Sequence, residues 1–267
     1  MKKVTGKKVA AKEKRKKAQE LKILSLKFIK YCTNNNLEGV NDCLARGVDV
    51  NTKTREDEQV DSSLRTGLMF ACQHGNAAIV SRLVKVPGLD INYHDEYYQD
   101  DTAAHLASLE GHTECVRILA ETEKVDWNIS NMENMTPLYW ALLEGHSEIV
   151  NIIVQQPKID HNIKVGFEEE TLGHATVRGG NEKCVETLAA QESFKFWNVP
   201  NRWGDTPVMM ALKEGKTEIL KVLLKCPRVN LSCRDKEGWT LIFRAIQMDK
   251  HGKKFLKYLI ISDNLYL

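Results

Sequence analysis

The chain has 267 residues, 42% hydrophobic and 28% charged, with a formal net charge of +2. That apolar content supports a continuous core, yet no run approaches the roughly 18 apolar residues of a membrane helix, and the charged N-terminus is not followed by the apolar stretch of a secretory signal. Seven cysteines, odd in number and without a C-x-x-C pair, read as small core residues, so the expected compartment is the cytoplasm, with the nucleus as an alternative.

Residues 1–20 hold nine Lys/Arg against Glu13 and Glu20, a net +7 that leaves the remainder at −5. Such a leader is expected to be disordered or a frayed helix. Its KEKRKK stretch could serve as an import patch, a phosphate-backbone contact or a tether to acidic loops; the plain reading is a solubilising tail. LKILSLKFIKYC then places Leu21, Leu24, Phe28 and Cys32 on one helical face and Lys22 and Lys30 opposite.

From Thr66 onward one phrase recurs: TGLMFACQHGN, TAAHLASLEGH, TPLYWALLEGH, TLGHATVRGGN, TPVMMALKEGK and a looser TLIFRAI. Its opening threonines, Thr66, Thr102, Thr136, Thr171, Thr206 and Thr240, are spaced by 34 to 36 residues, the period of a stacked repeat array. In the unit at 131–162, Thr136 is a helix N-cap and Pro137 suits the first helical position. Leu138, Ala141 and Leu142 form an apolar stripe, Gly145 ends the helix, and Ser147 and Glu148 begin a second one with Ile149, Val150, Ile152 and Ile153 inward, stopped by Pro157. The glycine slot recurs as Gly75, Gly111, Gly145, Gly180 and Gly215, with Asn36 expected to stand in for it in the first unit. The small slot recurs as Ala71, Ala107, Ala141, Ala211 and Ala245. A closing Asn at 51, 92, 128, 162 and 198, replaced by Ser232, is expected to hold its own hairpin loop by local hydrogen bonds.

These units resemble the ankyrin repeat, whose core pattern is T-P-L-H-x-A followed by a Gly-led second helix, over roughly residues 22–262. The resemblance implies an all-α solenoid of about seven helix-turn-helix units with hairpin loops and capping units at both ends: a leader at 1–20, the array at 21–262 and a tail at 263–267, whose apolar close leaves room for a longer protein. The Thr171 unit, with Gly173 in place of Leu and Thr176 in place of Ala, is expected to be the weakest link. Insertions are expected before Thr66 and before Thr102. Gly252 is read as a late turn glycine in the last unit, followed by a second helix with Lys253, Lys254 and Lys257 in water.

No catalytic, cofactor-binding or metal constellation appears, and the expected protein is not an enzyme. His105 and His174 occupy the same slot, three residues after their threonine, and each is expected to bond within its own loop; His112 and His146 share the slot that opens the second helix. By resemblance, hairpin tips and the inward end of the first helix form a concave groove. The residues flanking the D-x-x-G-x-T stretch would then meet a partner: Tyr97, Tyr98, Met132, Met135, Phe167, Arg202, Trp203 and Trp239. Trp127 and Trp197 precede the closing Asn and are expected to be structural. Asp95, Glu96, Asp100, Asp101, Glu133, Glu168, Glu169 and Glu170 form an acidic tip patch expected to draw a basic or basic-aromatic segment.

The implied function is a non-catalytic scaffold or adaptor, monomeric, that binds a protein, with no small-molecule substrate, no membrane insertion and nucleic acid only through the leader. The alternative is a nuclear or nucleic-acid-associated regulator targeted by that leader while the repeats recruit protein.

Overall fold

The computed structural model describes residues 2–54, 64–94, 99–166, 168–248 and 250–261. Asp95, Glu96, Tyr97, Tyr98 and Phe167, named above, lie outside the described residues, as does the tail at 263–267. The chain divides into two compact units, Met1–Val125 and Asp126–Leu267.

The first unit contains three helical pairs: α1 (Lys2–Thr33) with α2 (Leu37–Ala45), α3 (Gly67–Gln73) with α4 (Ala77–Leu83), and α5 (Ala103–Leu109) with α6 (Thr113–Glu121). Helices α1, α3 and α5 pack in one row, and α2, α4 and α6 in a second. The second unit contains α7 (Pro137–Leu143) with α8 (Ser147–Val154), α9 (Leu172–Gly179) with α10 (Glu182–Ala190), α11 (Pro207–Lys213) with α12 (Thr217–Lys225), and α13 (Leu241–Gln247) with α14 (Lys250–Ile261), again in two rows. Seven pairs among the described residues match the seven repeats counted from the sequence. Two short antiparallel ladders sit ahead of first helices: β1 (Lys53–Thr54) with β2 (Arg65–Thr66), and β3 (Lys164–Val165) with β4 (Glu170–Thr171).

The threonines start these helices for the reason the pattern implies. The hydroxyls of Thr66, Thr102 and Thr136 each accept the N–H three residues on, at 3.3 Å, which satisfies one of the amides a helix start leaves open. Gly75, Gly111, Gly145, Gly180 and Gly215 all lie in the left-handed region, at φ of +67 to +76°. At Gly75 a second constraint operates, because an added Cβ would meet the ring of His112 at 2.6 Å. The small-slot alanines are fully buried, and the core between the rows is filled by Phe28, Phe70, Leu119, Leu142, Ile153, Leu188 and Leu223. Trp127 and Trp197 are buried as expected; Trp197 meets Phe194 edge-to-face at 4.8 Å.

Several local expectations are corrected. In the first repeat the left-handed residue is Asn35 (φ 55°), whereas Asn36 is the N-cap of α2. Leu21 is 40% exposed, and the packed face of α1 is Leu24, Phe28, Ile29 and Cys32. The basic leader, expected to be disordered or a frayed helix, is part of α1 from Lys2, with residues 15–20 exposed. Gly252 is no turn glycine: it lies inside α14, where a Cβ would stand 1.8 Å from the Ala245 carbonyl oxygen, so the residue permits the two helices of the last pair to touch. Lys253, Lys254 and Lys257 are exposed.

The closing asparagines do not act locally. Asn51 donates to the Gly88 carbonyl and accepts the Asp90 N–H, both at 2.8 Å, in the next repeat's loop. Asn128 does the same with Lys158 and Asp160, Asn162 with Ser193 and Lys195, and Asn198 with Arg228 and Asn230. The local bonds expected of Asn are made by its neighbour two residues earlier: the carboxylates of Asp49, Asp126 and Asp160 each accept the N–H two residues on. The amide side chain, one donor and one acceptor at fixed spacing, thus clamps one loop to the next.

Candidate functional site

Three fingertips of the second unit, those ahead of Thr136, Thr206 and Thr240, are built on one short pattern. Asn131 Oδ1 accepts the N–H groups of Glu133 and Met135, Asn201 Oδ1 those of Trp203 and Asp205, and the Asp235 carboxylate those of Glu237 and Trp239, all at 2.9 to 3.1 Å. Backbone bonds from Asn134, Gly204 and Gly238 to the first residue close each turn, and those three residues have positive φ. A side-chain acceptor inside the turn replaces water for two amides, so the tip holds one conformation.

The two central residues of each tip project outward. Met132 is 62% and Trp203 60% exposed; Glu133, Arg202, Lys236 and Glu237 are exposed as well. Met135 and Trp239, at the base of their fingers, are half-buried, and Trp239 packs on Phe243 with ring centroids 4.7 Å apart. Of the partner-binding residues read from sequence, the second unit therefore brings Met132, Met135, Arg202, Trp203 and Trp239 onto fingertips or finger bases.

The acidic tip patch is different from its appearance in sequence. Arg178 pairs with Glu168 at 3.0 Å and with Glu170, whose side chain is buried; Glu170 also accepts the Tyr139 hydroxyl at 3.2 Å. Lys164 pairs with Glu169 at 2.8 Å. Asp100 faces His94, and Asp101 is buried. The third finger repeats this arrangement with Lys213 on Asp205, and the fourth with Arg244 on Asp235 and Glu237. Burial raises the Glu170 carboxyl and Tyr139 hydroxyl above their ordinary values; Arg244 and the turn amides hold Asp235 below its own against the opposing effect of burial. Three of the Glu/Asp residues in this patch, Glu168, Glu169 and Glu170, therefore face a cation of the same repeat, whereas Glu133 is exposed at its tip beside Met132. The signal was in the sequence: Glu170 and Arg178, and Asp205 and Lys213, stand one residue before and seven after a capping threonine, positions the first helix brings together.

The histidines belong to the scaffold. In α9 the unprotonated Nδ1 of His174 accepts the Thr171 N–H at 3.1 Å and lies 2.9 Å from its hydroxyl, while Nε2–H donates to the Asp205 carbonyl of the next repeat at 2.8 Å. Both nitrogens are committed to the neutral tautomer, and desolvation pushes the ring down to about 4. His174 thus reaches past its own loop, a correction to the local role expected. His105 makes the same Nδ1 contacts with Thr102. Cys115 and Cys184 are fully buried core thiols, and burial pushes Cys184 up to about 11. Among the described residues no group of three His, Cys, Asp or Glu side chains is placed to hold a metal ion.

Sequence reasoning missed Phe243 and Ile246, 50% and 63% exposed on α13. It also missed Arg228, whose guanidinium donates to the carbonyls of Gln191 at 2.6 Å, Phe194 at 3.3 Å and Ala189, closing the C-terminal end of α10 from the next repeat.

Residues 68–165 and 169–265 match the family profile described as "Ankyrin repeats (3 copies)". A stretch of 88 residues is 40% identical to a human protein named photoreceptor ankyrin repeat protein, covering 33% of this chain and 18% of that relative. A stretch of 61 residues is 44% identical to the mouse protein of the same name, covering 23% of this chain and 15% of the relative. The chain thus matches less than a fifth of the length of these curated relatives.

Proposed function

We propose, from the premise that this chain belongs to the ankyrin-repeat family, that it is a non-catalytic scaffold or adaptor whose fingertips hold a protein partner through Met132, Met135, Arg202, Trp203 and Trp239. Ankyrin repeats are protein-interaction modules, and the reading here adds which residues do the work. The observation that carries it is the exposure of Trp203 and Met132 at the centres of turns whose shape is already locked by Asn201 and Asn131. A large apolar side chain held in water on a rigid turn gives up little conformational entropy on contact, and such aromatic anchors dominate binding energetics. A basic segment is a weaker element of the reading, since the carboxylates of Glu168, Glu169 and Glu170 already face Arg178 and Lys164.

Affinity purification with residues 21–267, with and without Trp203→Ala and Trp239→Ala, tests it. Interactors that vanish from a folded variant support the fingertip reading; an unchanged set of interactors counts against it. The basic leader favours a second role in targeting, because α1 carries exposed Arg15, Lys16 and Lys17. A reporter fused to residues 1–20 that stays cytosolic removes import, and absent or salt-insensitive binding to DNA and RNA removes a nucleic-acid role. No helix among the described residues is long and apolar enough to cross a membrane.

A further inference from the structure

The fingertip between Asn201 and Gly204 gathers positive charge from two repeats. Arg202 and Trp203 are its outward residues, both exposed. A second cation arrives from the following finger: the Lys236 stem lies across Gly204, where an added Cβ would meet it, and its ammonium donates to the Arg202 carbonyl. An ammonium has three donors, so two remain for another acceptor. The tip is also held from the preceding finger, because the Arg202 N–H donates to the Glu168 carbonyl at 2.8 Å. A guanidinium, an indole and an ammonium thus stand together on a turn fixed from both sides, and little ordering cost is left for a contact.

The carboxylates around this tip are committed elsewhere. Glu168 faces Arg178 at 3.0 Å, Glu169 faces Lys164 at 2.8 Å, Asp205 faces Lys213, and Glu237, next to Lys236, faces Arg244. Lys164, with Arg202 adding to it, holds the Glu169 carboxyl below its ordinary value. Neither Arg202 nor Lys236 makes an ion pair among the described residues. A wholly apolar partner seated on Trp203 would strip water from both cations and return nothing, and a basic one would be repelled. A long polyanion fits no better. Duplex DNA carries a charge about every 1.7 Å and continues past the tip, where the neighbouring fingers offer the exposed Glu133 and the pair Glu168 and Glu170 sharing one Arg178.

We propose that this tip recognises a short acidic segment of the partner protein, in which carboxylates on either side of an apolar residue meet Arg202 and Lys236 while that residue rests on the Trp203 ring. The guanidinium suits a carboxylate because its paired N–H groups match the two oxygens. This rests on the fingertips being the partner-binding surface, and it puts an acidic segment in the place of the basic one expected from the sequence.

The test is selection of short peptides from a randomised display library on the full 267-residue chain, followed by titration of a synthetic peptide of the selected sequence at low and at high salt. The expected peptides carry Asp or Glu on both sides of an aromatic or aliphatic residue, and their binding weakens as salt rises. Arg202→Glu with Lys236→Glu is expected to weaken binding by more than about tenfold, with an unchanged circular dichroism spectrum. Should the double variant misfold, Arg202→Gln alone, at a position already in water, is expected to weaken it about threefold. Selected peptides that are basic or uncharged overturn the proposal, and so does a selection that yields no peptide. A single-stranded DNA oligonucleotide that binds through Arg202 and Lys236 more tightly than the peptides overturns it in favour of nucleic acid. A peptide that needs Trp203 and ignores both charges removes the acidic segment and leaves the fingertip reading standing; one that ignores Trp203 as well counts against both.

Discussion

The pair headed by Thr136 and the pair headed by Thr171 stand side by side and solve the same packing problem with different residues. The first follows the repeat pattern: Pro137 opens α7, Tyr139 and Leu142 fill the contact and Ala141 occupies the small slot. The second departs at nearly every one of these positions, and each departure has a partner. Gly173 makes room for Pro207 and Trp197, the Thr176 hydroxyl donates to the Gly173 carbonyl at 2.7 Å, and Gly179 lets the α7 carbonyls of Leu142 and Leu143 approach. His174 joins two repeats through both ring nitrogens. The departures of the Thr171 pair thus each meet a defined neighbour, and the comparison can be broken at defined atoms.

The largest effect is expected at Gly179. A Cβ there would lie 2.2 Å from the Leu142 carbonyl oxygen, and backbone cannot turn aside as a side chain can. Gly179→Ala is expected to lose about 3 kcal/mol, measured by urea unfolding followed by circular dichroism. Gly173→Ala meets side-chain atoms alone, of Pro207, Trp197 and Thr171, and is expected to lose about half as much. Equal losses would mean that α7 and α9 can separate freely.

Protonation attacks the same pair from within. The folded His174 ring titrates near 4 and its unfolded counterpart near 6.5, so the unfolded chain binds more protons across that interval. Stability from this group is fully present above about pH 6.5 and is lost as pH falls towards 4, at up to about 1.4 kcal/mol per unit and roughly 3 kcal/mol in total. Unfolding free energies of wild type and His174→Gln measured over that range should differ in slope; parallel curves would show that protonation of this ring is accommodated.

What was legible in the sequence follows from what a repeat makes redundant. Thr136, Pro137, Gly145 and the buried alanines recur, so their local chemistry could be read several times over, and the seven pairs and their helix starts came out as expected. Contacts from one repeat to the next were not legible, because both partners recur at the same spacing: a bond from Asn128 to its own loop and one to the loop 30 residues on produce the same pattern. The candidate site was legible by residue type and not by environment. The run Glu168–Glu169–Glu170 looks like an open anionic patch until Arg178 and Lys164, on separate elements, are placed beside it. Phe243 escaped notice because its counterparts, Met69, Tyr139 and Met209, are all buried core.

The asparagine clamp between the two pairs should show a smaller effect. Asn128→Ala removes one donor and one acceptor to the loop of the next repeat and is expected to lose about 1–2 kcal/mol. Asp126→Ala removes a turn bond to the Asn128 N–H at an exposed position and is expected to lose less than about 1 kcal/mol. The order of the two, read from the same urea curves, separates a clamp between repeats from a local turn.

The smallest effect on stability is expected where the effect on binding is largest. Trp203 stands outside both pairs at the tip of the following finger, its backbone amide held by Asn201 and its ring in water. Removing a ring that packs on little should change stability by less than about 0.5 kcal/mol, whereas removing an aromatic anchor from a contact weakens it by tenfold or more. Asn201→Ala offers the complementary case, because it leaves the ring in place and frees the turn that aims it. If Trp203 binds because its position is preset, Asn201→Ala lowers partner affinity while Trp203 keeps its exposure, as measured by quenching of its fluorescence. If the ring merely contributes apolar area, Asn201→Ala leaves affinity unchanged and the locked turn has no part in recognition.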